Sequence, residues 1–208
     1  MPSHLAAWDD VLRREYGFAV DPMTVKLNEG RPASEIARAI FAKVHLPVNH
    51  DELERIIEFK NQRFREIHRA RVYPEIPLII EAVKKRGGFV GLVTGTKRAN
   101  IGVVVSDDLL QRLDVIVADG DTTRGKPWPD PYLAAAVKLG VRPSECVVIE
   151  NAPAGVQSAK AAGMFCVALM TTLAEEQLQQ ADVTLPAHAD LLNQLEQFLF
   201  VSETGGLG

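Results

Sequence analysis

Three short stretches carry side chains suited to phosphoryl chemistry. In Gly125-Lys126-Pro127-Trp128-Pro129-Asp130-Pro131 rigid prolines surround a lysine, and because the proline ring fixes the backbone, the cation is held in place instead of drifting on a loose turn. A lysine so held can neutralise a phosphoryl group and an attacking carboxylate together, which is electrostatic preorganisation. Thr94-Gly95-Thr96-Lys97 offers two hydroxyls, a cation and a glycine backbone that a phosphate can approach closely. Glu150-Asn151, opening the stretch to Val156, supplies an acid and an amide, hard oxygen ligands of the kind Mg²⁺ accepts with water completing its octahedron. Each stretch also has a plainer structural reading. Thr94 to Lys97 suits a polar strand-to-helix turn, Lys126 a solvated turn, and Asn151 a helix cap.

These residues need elements to bring them together. From Leu5 to about Arg71 apolar residues recur at helical spacing, as in Leu5, Trp8, Val11, Leu12 and in Leu53, Ile56, Ile57, Phe64, Ile67, so this half is a helical module. Breaks at Gly17, Gly30-Arg31-Pro32 and Pro47 divide it into three or four helices, with Ser34-Glu35 and Asn49-His50-Asp51 near helix starts. Tyr73-Pro74-Glu75-Ile76-Pro77 is a stiff boundary. Beyond it, short apolar runs alternate with helices: Phe89 to Val93, Val115 to Ala118, Val147 to Ile149, Phe165 to Leu169 and, more weakly, Val183 to Leu185. That alternation predicts an α/β fold with a parallel sheet covered on both faces. Ligands of such sheets gather at the carboxyl ends of the strands, and the three stretches stand close to the ends of three of these runs.

Bulk composition removes several alternatives. The chain of 208 residues, 47% hydrophobic and 24% charged, is globular in character. A net charge of -4 offers no broad basic field for nucleic acid. No apolar stretch is long enough for a bilayer, and no basic-then-apolar leader opens the sequence. Cys146 and Cys166 beside apolar runs fit thiols in a reducing, cytoplasmic setting.

Taken together, Thr94-Gly95-Thr96, Lys126-Pro127-Trp128-Pro129-Asp130 and Val148 to Gly155 resemble, in order and spacing, the second, third and fourth motifs of the haloacid dehalogenase superfamily. The branch they are most similar to holds β-phosphoglucomutase and phosphoglycolate-phosphatase-like enzymes. The resemblance implies a helical cap domain over residues 1–74, a Rossmann-like α/β core over 75–200 and a flexible tail at 201–208. It implies catalytic roles for Thr94, which would hydrogen-bond the transferring phosphoryl oxygen, for Lys126, which would steady the phospho-enzyme charge, and for His4, similar to a histidine beside the cap hinge. Gly95, Thr96, Lys97 and Arg31 would meet the substrate, a small phosphorylated metabolite. Glu150 and Asn151 would hold the Mg²⁺ cofactor, although most relatives place two acids where this chain has an acid and an amide.

The same resemblance expects a first core strand ending in Asp-x-Asp, whose first aspartate attacks phosphorus. Met1 to Trp8 already resembles the first cap helix, so that strand is expected to be missing from the sequence, leaving two unpaired strand edges facing each other and a chain prone to fold poorly unless neighbours close the gap. Asp121, after Val115 to Ala118, imitates such a nucleophile, yet it lies only shortly before Lys126. Gly120 to Lys126 imitates a phosphate loop but is followed by Pro127 where a hydroxyl is needed. Two readings stay open: a Mg²⁺-dependent phosphatase or phosphomutase whose nucleophile lies on the absent strand, and a non-catalytic relative that binds phosphate or a partner. Oligomeric state and substrate identity are not encoded in any of these stretches.

Overall fold

A computed structural model describes residues 2–69 and 72–199; the tail at 201–208 lies outside the described residues. The helical half comprises α1 (Pro2–Tyr16), α2 (Pro22–Leu27), α3 (Ala33–Lys43) and α4 (His50–Ile67). Gly17 and Gly30 carry positive φ of 73° and 84°, the left-handed backbone that glycine adopts without steric cost, and there α1 ends and the chain turns into α3. The Asn49 side chain accepts the Glu52 N–H at 2.9 Å, satisfying a first-turn donor that α4 cannot satisfy internally. Apolar stripes of α1, α3 and α4 meet in a core of Trp8, Leu12, Ile40, Phe41, Leu53 and Ile56, each at most 2% exposed.

The second half alternates as its sequence predicts. Helix α5 (Glu75–Lys85) leads to β1 (Gly91–Lys97), then α6 (Ile101–Val104), α7 (Asp107–Leu110), β2 (Val115–Asp119), α8 (Asp130–Leu139), β3 (Val147–Glu150), α9 (Pro153–Ala161), β4 (Phe165–Leu169), β5 (Val183–Leu185) and α10 (His188–Leu199). Pro77 sits in the first turn of α5, where a missing N–H costs little. The first strand starts two residues later than its apolar run and extends through Lys97. Val90 is outside it because both of its backbone groups bond to Asp114, the N–H to Oδ2 at 2.7 Å and the carbonyl to the Asp114 N–H at 2.8 Å. Thr94, Gly95 and Thr96 therefore lie within the strand, at a break in its register between Val93 and Lys97, not in a turn after it.

All ladders are parallel. β1 pairs with β2, and β3, β4 and β5 form a separate sheet in that order. Helices α8 and α9 cover Val117, Val148, Cys166 and Ala168 on one side, and α10 brings Leu191 and Phe198 onto Val167, Leu169 and Leu185 from the other. Among the described residues no ladder joins β1 to β3. Their edges border an apolar cleft of about 480 Å³ lined by Leu92, Val93, Tyr132, Val147, Val148 and Ile149.

Candidate active site

At the carboxyl ends of β1, β2 and β3, under the helical half, lies a second cavity of about 380 Å³. All nine residues singled out from the sequence line it: His4, Arg31, Thr94, Gly95, Thr96, Lys97, Lys126, Glu150 and Asn151.

Lys126 is the fixed cation of this cavity. It is 5% exposed; its ammonium donates to the Val93 carbonyl at 3.1 Å and forms a buried ion pair with Glu150 Oε1. Tyr132 donates its hydroxyl to the same carboxylate oxygen at 2.7 Å. Glu150 Oε2 accepts the Asn151 and Ala152 N–H groups at 3.0 and 3.4 Å. Burial pushes the Glu150 carboxyl toward its neutral form, but the Lys126 charge, the Lys126 and Tyr132 hydrogen bonds and the Asn151 amide outweigh it and hold the group below the usual carboxylate range. The carboxyl group also fills the space where a Cβ on Gly155 would stand, so a side chain at position 155 is excluded.

The Thr94 hydroxyl accepts the Thr96 N–H at 3.1 Å, which leaves its own proton to donate into the cavity. Lys97 faces Asp119 across the β1–β2 ladder; burial pushes the Asp119 carboxyl up, with Lys97 pulling the other way. Gly95 has a role that the sequence does not show. A Cβ there would lie 2.7 Å from the Gly30 carbonyl oxygen and 2.9 Å from that of Arg31, so the missing side chain lets the 28–32 loop rest directly on β1.

From above, α1 and α4 contribute a coupled pair. The Lys60 ammonium lies 2.9 Å from His4 Nδ1 and within 5.3 to 5.5 Å of the Phe64 and Trp8 ring centres. Burial lowers the Lys60 pKa to about 8. Burial, and then the Lys60 charge, push His4 down to about 2, so His4 is a neutral acceptor that orients Lys60, stacked on Phe64 at 4.1 Å. Arg31 donates to Glu35 at 3.1 Å, while its buried Nε has no partner among the described residues.

Asn151 does not cap α9, whose first residue is preceded by Ala152 with no side-chain cap. Its amide instead donates to Thr172 Oγ1 at 3.1 Å and to Glu29 Oε2 at 3.3 Å. Asp121, the imitation nucleophile, is engaged elsewhere: its carboxylate accepts the Ala118 N–H at 3.0 Å and pairs with Arg98. Sequence reasoning gave no site role to Glu29, Tyr132, Asp119 or Thr172, although Asp119 opens the Asp-x-Asp imitation that ends at Asp121 and Tyr132 stands on the helix after the lysine motif.

A model of the haloacid dehalogenase-like hydrolase family matches residues 2–163, a span that contains all nine of the residues singled out from the sequence. The chain belongs to that family. Among its relatives is a validoxylamine A 7'-phosphate phosphatase of Streptomyces hygroscopicus subsp. limoneus, 33% identical over 86% of this chain and 83% of that one. A fructose-1-phosphate phosphatase of Escherichia coli K12 is 32% identical over 80% and 87%. The fold is that of the β-phosphoglucomutase and phosphoglycolate phosphatase branch: a crystal structure of β-phosphoglucomutase from Clostridium difficile superposes with a TM-score of 0.82, covering 96% of this chain and 90% of that one at 24% identity. As a haloacid dehalogenase-like hydrolase, the chain belongs with phosphatases and phosphomutases, and it joins parallel sheets to a helical half. Among the described residues no helix is long and apolar enough to cross a membrane.

Proposed function

We propose that the protein takes part in Mg²⁺-assisted phosphoryl transfer on a small phosphorylated metabolite, most simply its hydrolysis, in the cytoplasm. The observation that carries this reading is the buried Lys126 ammonium, pinned between the Val93 carbonyl and Glu150 at the floor of a cavity that also receives the Thr94 hydroxyl and the Lys60 ammonium. Fixed positive charge in a water-poor site stabilises developing phosphoryl charge without reorganisation at the moment of reaction. Thr94 donates to a phosphoryl oxygen, Lys126 neutralises it, and Lys60, Arg31 and Lys97 grip the rest of the substrate. The free thiols of Cys146 and Cys166 favour the reducing setting.

Of the two hard oxygen donors, Glu150 has both oxygens occupied by Lys126, Tyr132 and the Asn151 and Ala152 N–H groups, whereas Asn151 Oδ1 accepts no hydrogen bond from the described residues, so these two residues do not by themselves make an ion site and further oxygens would have to complete it. When bound, the ion would supply charge neutralisation beside the phosphoryl group. The attacking carboxylate comes, on this reading, from an extended segment seated in the cleft between β1 and β3, whose end would reach the Lys126 floor. Without such a segment the cradle of Thr94, Lys126 and Glu150 binds phosphate and turns nothing over. That non-catalytic reading is favoured by one observation, the engagement of Asp121 and Glu150 with other groups.

A panel of sugar and short-chain acid phosphates, followed by phosphate release with Mg²⁺ and with EDTA, separates the two. Chelator-sensitive release from at least one ester supports the enzyme. Stabilisation by inorganic phosphate with no release from any ester supports the binding protein.

A further inference from the structure

A recess of about 20 Å³ adjoins the cavity and shares Gly30, Thr94, Gly95, Asp119 and Lys126 with it. That volume holds one water-sized group. Asp119, half-buried at the end of β2, is the acceptor of this recess. Its carboxyl takes the Gly120 N–H, and among the described residues no side chain donates to it. A carboxylate offers about four lone-pair positions and no proton, so most of its accepting capacity is unspent. The charges of Lys97 and Glu35 act on it with opposite sign.

The charge balance of the cavity bears on what can fill the recess. Lys126 is paired with Glu150 and Arg31 with Glu35. Among the described residues this leaves Lys60 and Lys97 as the unpaired lysines of the cavity, enough to balance the two charges of a phosphate ester. A further acid group on the substrate would find no cation to balance it and would meet Asp119, and like charges brought together cost affinity. A hydroxyl is neutral, fits the recess and donates to a carboxylate in a charge-assisted hydrogen bond. We propose that Asp119 is a specificity-determining residue that takes a substrate hydroxyl in this recess, so that the site selects phosphate esters of neutral, polyhydroxylated molecules over those of carboxylic acids. This deepens the phosphoryl-transfer reading given above and rests on it, but needs no metal.

The test is calorimetric titration of inorganic phosphate, sorbitol phosphate and phosphogluconate into the wild-type protein, Asp119→Asn and Asp119→Ala. The two esters differ at the end remote from phosphorus, where one carries a hydroxymethyl group and the other a carboxylate. Removing a negative charge strengthens phosphate binding in general, so the readout is the ratio of affinities within each protein. The wild type is expected to bind sorbitol phosphate at least about tenfold more tightly than phosphogluconate. Asp119→Asn keeps the shape and removes the charge, and should narrow that preference. Asp119→Ala removes the acceptor, and should weaken sorbitol phosphate relative to inorganic phosphate by about tenfold or more. An unchanged ratio in either folded variant, as for a recess that holds only water, overturns the inference and leaves the phosphoryl-transfer reading intact, as does a wild type that prefers phosphogluconate. A wild type that binds none of the three overturns both. Should one variant fail to fold, the other still decides, because each is read by its own ratio.

Discussion

The buried Lys126–Glu150 pair illustrates how this site trades stability for a fixed charge. Both side chains are at most 9% exposed, and taking one partner from such a pair leaves an uncompensated charge that costs about 3–5 kcal/mol. Lys126→Met should lower unfolding free energy by about that amount in urea titrations, and Lys126→Met with Glu150→Leu should recover much of the loss. A single variant as stable as wild type would mean that the pair does not form. Lys60 sets a pH limit of a different kind. Its pKa in the fold is about 8, against an ordinary value of 10.5, so the ammonium is charged below pH 8 and lost above it. Phosphate-ester affinity should fall as pH rises past about 8 in the wild type, and Lys60→Arg, which stays charged, should shift that limb upward; an identical limb in both would remove Lys60 from substrate binding. For stability the sign is opposite. The unfolded chain holds the Lys60 proton up to 10.5, so the penalty for burying the charge is full below pH 8 and relieved between 8 and 10.5. His4, held near 2 in the fold against 6.5 unfolded, costs stability as pH falls below 6.5.

At the scale of elements, β1 shows what periodicity can and cannot reveal. The apolar run announced a strand, but its start was set by Asp114, which bonds both backbone groups of Val90, and a long-range partner leaves no trace in a local pattern. Strand β4 coincides with its apolar run, because a buried central parallel strand is apolar throughout, and the edge strand β5 coincides with its weaker run, in which Thr184 interrupts the apolar residues. Of the three or four helices expected in the first half, α1, α3 and α4 were legible from spacing and from Gly17, Gly30 and Asn49, and the short α2 is the fourth. The residues of the three core motifs were likewise legible as a set, because they lie in or just beyond strands of one parallel sheet system, and His4 and Arg31 join them in the same cavity from the helical half. Glu29 was not, because its role arises only where the helical half meets the core, and Tyr132 and Thr172 were not, because they reach Glu150 and Asn151 from 18 and 21 positions away in the sequence. One glycine marks that meeting and a second lies in the core beneath it. Gly95→Ala would push a methyl group against the Gly30 and Arg31 carbonyls, and backbone cannot yield as a flexible side chain does. It should raise KM for phosphate esters, or weaken inorganic phosphate binding, at little cost in thermal stability, since the clash is relieved by opening the cap. Gly155→Ala, by contrast, meets the Glu150 carboxyl within the core and should destabilise by about 1–3 kcal/mol. Equal effects of the two variants on melting temperature would contradict this division.

The whole molecule brings charge from two halves onto one cavity: Lys126 and Lys97 from the core, Lys60 and Arg31 from the cap. The unjoined edges of β1 and β3 flank an apolar cleft that leads toward the Lys126 floor, which is where an attacking carboxylate would have to enter. Both the enzyme and the phosphate-binding protein require the same grip on a phosphoryl group, and that grip is the central claim. Its most direct test is calorimetric titration of inorganic phosphate, with Mg²⁺ present, into the wild-type protein and Lys126→Met. The account predicts saturable binding to the wild type, and loss of at least about tenfold in affinity when the Lys126 ammonium is removed, a difference of about 1.4 kcal/mol. Equal binding by the two proteins, with Lys126→Met still folded, would contradict it.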